Sequence, residues 1–162
     1  MILWAGCAGG LCHDRDDPKA GIYTSGFIAC KLGWWLGIYP TVSESVVNED
    51  GSRSYDITVT VENTLTWDEY NHASVDFITA GSGSYGLYTH FFAPEGGSIS
   101  NFTANKEHWR DRFEYEGLQN IRAAYYLDPG RSIVFSYTVT TAPGVDAPLG
   151  LSMTPTLQNY WT

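Results

Sequence analysis

The side chains that could do chemistry are few and scattered. Paired carboxylates occur at Asp68 and Glu69 and at Glu114 and Glu116. A glycan hydrolase needs two carboxyl groups about 5–9 Å apart across a cleft. Neighbouring residues of a strand point to opposite faces, and Glu114 and Glu116 flank aromatic positions. Asp68 and Glu69 are better placed as the acidic start of a helix, where the helix dipole stabilises negative charge. The histidines, His13, His72, His90 and His108, form neither a His-x-His pair nor a His-Glu-x-x-His pair, so metal chemistry lacks its usual spacing. There is no Gly-x-Ser-x-Gly elbow. Asp14 and Asp16 offer too few oxygens for calcium, which takes six to eight. Cys7 and Cys12 enclose four residues and Cys30 stands apart. They are either free thiols or, in an exported protein, a local Cys7–Cys12 disulfide; the spacing is not that of a zinc site. These patterns nominate no catalytic residue, metal or cofactor.

Aromatic side chains are the richest resource, at 15% of the 162 residues. Trp34, Trp67, Tyr85, Tyr88 and Trp109 are the candidate ligand-binding residues. Trp35, Trp161, Tyr125 and Tyr126 could extend the same platform. Exposed Trp and Tyr rings stack on sugars, and nearby Asp, Asn and Glu bind hydroxyl groups. Large aromatics also fill cores and interfaces. If Trp34 and Trp35 share a strand they face opposite sides, so at least one belongs to the core.

These rings need a scaffold, and composition points to β structure. Hydrophobic residues make up 43% of the chain and charged residues 17%, so the chain can build a core. Thr, aromatics and turn-forming Gly favour strands. Tyr55, Ile57, Val59 and Val61 alternate with polar residues, as do Ile133, Phe135, Tyr137 and Val139. Period two assigns each set to a buried sheet face. Lys31–Val42, Leu87–Phe92, Ser98–Thr103 and Leu149–Met153 read as further strands. Ala123–Leu127 reads as the hairpin partner of the strand after Asp128-Pro129-Gly130. Asp50-Gly51 is a turn. Thr66-Trp67-Asp68-Glu69 is a capping box that opens a short helix, with Leu65 and Tyr70 as its staple. Asn105 is placed to cap a second short helix running through Trp109.

Together these elements predict a mainly antiparallel all-β protein. The expected form is a β-sandwich, immunoglobulin-like or jelly-roll-like, with one or two short helices; a closed barrel is the alternative. Residues 1–30 read as an irregular lead-in, compatible with a fragment boundary, and 31–162 as one sandwich domain. The net charge of −9 disfavours nucleic acid and anionic membranes as partners. No run of ~18 apolar residues marks a membrane span.

One ordered set of features goes further. It runs from Lys31-Leu32-Gly33-Trp34-Trp35-Leu36 through Asp50-Gly51 and Ile57-Thr58-Val59-Thr60-Val61-Glu62-Asn63-Thr64. It continues with Phe77-Ile78-Thr79-Ala80-Gly81, Leu87-Tyr88-Thr89-His90-Phe91-Phe92-Ala93-Pro94-Glu95-Gly96 and Asp128-Pro129-Gly130-Arg131-Ser132. Over residues 31–155 this resembles the C-terminal extracytoplasmic, β-rich portion of a bacterial family of membrane-anchored surface proteins of unknown function. The resemblance implies a piece of a longer exported protein at the cell surface, without catalytic residues. Its role would be structural or adhesive, and its partner a cell-wall glycan or another surface protein. A carbohydrate-binding module is the alternative function, and a glycan hydrolase a more distant one.

Overall fold

The computed structural model describes Leu11 and residues 13–28, 32–72 and 83–156. Trp4, Cys7, Cys12, Cys30, Lys31, residues 77–81 and Trp161 lie outside the described residues, and with them the possible Cys7–Cys12 disulfide.

Two sheets pack face to face. The first has the order β10-β1-β5-β8-β7, from β1 (Lys19–Gly26), β5 (Tyr85–Phe92), β7 (Trp109–Tyr115), β8 (Leu118–Leu127) and β10 (Gly150–Met153). The second has the order β2-β4-β9-β6, from β2 (Leu36–Val42), β4 (Arg53–Asn63), β6 (Ser98–Ala104) and β9 (Ser132–Thr140); the short β3 (Val46–Val47) also pairs with β4. All pairings are antiparallel except β1 with β10. This is the expected all-β sandwich; among the described residues the strands form two separate sheets and not the closed barrel of the alternative.

Alternation explains the core. Ile57, Val59, Val61, Ile133, Phe135 and Val139 from the second sheet are buried opposite Leu87, Phe91, Ile121 and Ala123 from the first. Phe91 sits at the centre, with its ring 5.0 Å from that of Phe135 and 5.1 Å from those of Phe102 and Tyr137. Fully burying such a side chain stabilises the fold by about 1.5–3 kcal/mol.

Several expectations are corrected. Residues 1–30 are not irregular throughout: Lys19–Gly26 is β1, paired on both sides, and its Ala20 and Ile22 are core residues. The pattern was masked because Gly21 and Tyr23 alternate with them on the outer face. Lys31–Val42 is not one strand. Leu32–Trp35 forms a 3-10 turn and the strand starts at Leu36, so Trp34 and Trp35 do not take opposite sides of a strand. Trp34 is 67% exposed and Trp35 packs partly against the core. No second helix follows Asn105. Its Oδ1 accepts from the Val134 N–H, and Trp109 opens β7.

Ala123–Leu127 belongs to β8 and does not form a hairpin with β9. Both strands turn their apolar residues into the same core from opposite sheets, with the Tyr125 and Phe135 rings 5.4 Å apart. Asp128-Pro129-Gly130 therefore crosses between the sheets. Buried Asn63 secures that crossing. Its Nδ2 donates to the carbonyls of Gly83 at 3.1 Å and Leu127 at 3.0 Å, and its Oδ1 accepts from the Leu65 N–H at 3.2 Å.

The expected capping box is formed. The Thr66 hydroxyl donates to Glu69 Oε2 at 2.8 Å, and the Glu69 N–H donates to Thr66 Oγ1 at 3.1 Å. The helix it opens, α1, spans Trp67–His72.

Candidate functional site

The outer faces of the two sheets differ in chemistry. On the second sheet, Thr58, Thr60, Ser136, Thr138 and Thr140 face outward beside Tyr39 and Val134; the hydroxyls of Thr58 and Ser136 lie 3.4 Å apart and those of Ser54 and Thr140 3.1 Å apart, and Thr138 donates to Asp56 at 2.8 Å. On the first sheet the corresponding positions are aromatic. Strand β7 presents Trp109, Asp111, Phe113 and Tyr115, and β8 presents Asn120, Arg122, Ala124 and Tyr126 beside them. Strand β5 adds Tyr88, His90 and Phe92, and β1 adds Tyr23. Period two in four neighbouring strands makes this one surface.

Arg122 is its centre. The guanidinium carbon lies 5.3 Å from the ring centroids of Tyr88 and Trp109 and 5.4 Å from that of Phe113. Such cation–π contacts hold a cation where the ring quadrupoles are negative. Arg122 Nη2 also donates to Asp111 Oδ2 at 2.9 Å. Arg122 Nε, Asp111 Oδ1 and Asn120 Nδ2 are shielded from water and have no hydrogen-bond partner within the protein.

Around this centre the rings continue in both directions. Phe92 stacks on His90 at 6.1 Å and meets Tyr23 and Tyr115 edge-on at 5.9 and 6.3 Å. At the opposite end Phe27 folds back over the sheet against Tyr88 and Tyr126, at 4.8 and 5.2 Å. Gly86 permits this, since a Cβ there would lie 2.7 Å from the Phe27 ring. Half-buried His90 lies 3.3 Å from Asn120 Oδ1 through its Nδ1. Burial first, and then the charge of Arg122, hold its pKa below the ordinary histidine value, so it is neutral at neutral pH.

The surface is thus a rim of exposed rings around a neatly packed polar centre. Trp109 is 53% exposed, Tyr115 51% and Tyr126 65%. Rings with adjacent amide, carboxylate and guanidinium atoms can stack on an apolar face of a ligand and bond to its polar edge. The carboxylate of Asp111 is paired with Arg122.

Of the sequence candidates, Tyr88, Trp109 and Tyr126 come together here. Tyr85 is buried on the inner face of β5 and is corrected to a core residue; so is Tyr125, whose hydroxyl lies 2.6 Å from that of Thr89. Trp67 is on α1, edge-on to Tyr70, and Trp34 is on the 3-10 turn before β2. None of the four strands of the aromatic face carries them. Trp35 Nε1 reaches Glu69 Oε1 at 3.4 Å. Glu69 is tied up in its cap, whose hydrogen bonds hold its carboxyl below the usual range. Glu116 lies in the β7–β8 turn at φ 52°, 3.6 Å from His13 Nε2, while Glu114 is on the inner side of β7. Asp14 Oδ1 accepts from the N–H groups of Asp16 and Asp17, as a turn-forming Asp does.

Asp111, Phe113, Asn120 and Arg122 were missed by the sequence reading. Their signal was the alternation Trp109-x-Asp111-x-Phe113-x-Tyr115, hidden once a helix was placed through Trp109. Comparison of the chain with protein-family models, with curated proteins and with solved structures finds no match.

Proposed function

We propose that this chain is a non-catalytic interaction domain from the exported part of a bacterial surface protein, and that the outer face of its first sheet meets the ligand. The contrast between the two outer faces supports this reading. A solvated sheet face is ordinarily polar, as the second sheet's is. The first instead spends Trp109, Tyr115 and Tyr126 on exposed positions. Contiguous exposed aromatic surface marks a contact site, and Trp, Tyr and Arg dominate binding energy where they occur.

The ligand is a cell-wall glycan or another surface protein. Exposed Trp109 and Tyr126 flanking half-buried Tyr88, with amide, carboxylate and guanidinium atoms between the rings, favour the glycan reading.

Co-sedimentation with bacterial cell walls and a panel of insoluble polysaccharides tests this function. Trp109→Ala and Tyr126→Ala should each weaken binding by at least ~10-fold, as loss of a contact aromatic does. Trp34→Ala and Trp67→Ala should leave it unchanged. Binding that survives the first pair and fails with the second would move the site to the helix end. Binding to cell walls but to no purified polysaccharide would favour a protein partner.

A further inference from the structure

The outer face of the first sheet is ordered across its strands as well as along them. Residues opposite each other in register form rows at right angles to the strands. One row is polar throughout. It runs from Asp111 on β7 to Arg122 on β8, His90 on β5 and Tyr23 on β1. The Tyr23 hydroxyl then donates to Ser152 Oγ on β10 at 2.8 Å. From β7 to β10 there are four steps of ~4.8 Å, so the row is ~19 Å long.

The rows on either side are built differently. On one side Trp109 and Tyr88 flank Ala124, and on the other Phe113 and Phe92 flank Asn120. In each, a smaller residue of β8 separates two rings, so the polar row lies between two broken lines of aromatics. The row is open to a ligand. The side chains of Arg122 and Asp111 are 33% and 34% exposed, and Tyr23, His90 and Ser152 are half-buried. It is also balanced in charge, since Asp111 pairs with Arg122 and His90 is neutral at neutral pH.

We propose that this row is the bed of a linear, uncharged glycan, about four β-1,4-linked rings lying across the strands. The row mixes acceptors with donors, and a sugar hydroxyl is both, so it can bond to carboxylate, guanidinium, imidazole or phenol alike. An acidic or basic ligand would lose hydration here with no unpaired counter-charge to replace it. A β-1,4 linkage keeps a pyranose chain extended, as a row spanning five strands requires. Each ring then sets its hydroxyl edge on the row and its C–H face against the flanking aromatics. A partner peptide added as a strand would instead run along the sheet edge, parallel or antiparallel to β7 or β10. The inference deepens the reading of this face as the contact site and rests on it.

The test is an NMR titration of the whole protein with two neutral series, N-acetyl-chito-oligosaccharides and cello-oligosaccharides, from disaccharide to hexasaccharide. In at least one series affinity should rise ~10-fold or more from disaccharide to tetrasaccharide and then stay level, as successive rings fill the row. A nitroxide on the reducing end of the bound tetrasaccharide should broaden amides at one end of the row alone, in β7 or in β10. Two charged tetrasaccharides should each bind at least ~10-fold more weakly: oligogalacturonate, and the de-N-acetylated chito-tetrasaccharide in ~0.5 M salt to screen the net charge of −9. Tyr23→Ala should remove most of the gain from disaccharide to tetrasaccharide. No binding in either series, affinity indifferent to length, or equal binding of a charged oligomer would overturn the proposal. So would broadening centred on Tyr115 or on Tyr126, which lays the chain along the strands. If cell-wall co-sedimentation is still lost in Trp109→Ala, such results discard the row and keep the face as the contact site. Co-sedimentation that ignores Trp109→Ala discards the face itself. The length and charge comparisons use the wild-type protein and stand even if Tyr23→Ala misfolds.

Discussion

Asn63 shows how much one side chain can carry. It is fully buried, and both side-chain polar atoms are engaged. Its backbone adds two more bonds across the same crossing, donating to the Arg131 carbonyl and accepting from the Gly130 N–H, each at 2.9 Å. Replacing it with alanine would leave buried carbonyls at Gly83 and Leu127 and a buried N–H at Leu65. Each such group costs ~1–3 kcal/mol when unpaired. Asn63→Ala should therefore lower stability by ~2–4 kcal/mol, read as a lower urea midpoint with an unchanged m-value. A loss under ~0.5 kcal/mol would mean that water replaces the amide. In the sequence Asn63-Thr64 stood out only as the end of a strand, because its partners lie 20 and 64 positions away. Tyr85 and Trp34 show the converse: ring type alone cannot separate a core residue from an exposed one.

Elements were legible where their signals were local. Helix α1 was, because Thr66 and Glu69 lie three residues apart and bond to each other. No residue of α1 is fully buried, but Tyr70 packs partly against the core, so the helix is held by that ring together with its cap and the contact from Glu69 to Trp35. Thr66→Ala should cost that helix ~1 kcal/mol. The effect should be local: faster amide exchange at Tyr70 by ~5-fold, with little change in the global transition. Equal losses in both would show that α1 unfolds only with the whole domain. Strands β4 and β9 were legible because strict alternation lasts through each. Strand β7 was not, since both its faces carry polar or charged residues and its burial pattern alone shows no apolar side. Strand β1 was obscured by the glycine and tyrosine on its outer face.

At the scale of the molecule the chain folds by distant pairing. The connections β1 to β2, β4 to β5, β5 to β6, β6 to β7, β8 to β9 and β9 to β10 all cross between sheets. The last described strand pairs with the first described one through Lys19–Gly150 to Ile22–Met153. Loop-closure entropy must be met before such contacts form, so refolding should take milliseconds to seconds. Stopped-flow fluorescence of the tryptophans would measure it, and a complete signal change inside the dead time would contradict this reading of the topology. Strand content, the inward residues of β4 and β9, the turns at Asp50-Gly51 and Asp128-Pro129-Gly130 and the helix cap were determined by the sequence alone, because each depends on residues a few positions apart. The partners of each strand, the burial of Tyr85 and Tyr125, and the gathering of Trp109, Arg122 and Tyr88 on one face were decided only by the tertiary structure. Period two says which residues of a strand share a face. It does not say which strand lies alongside, or whether another sheet covers that face or water does.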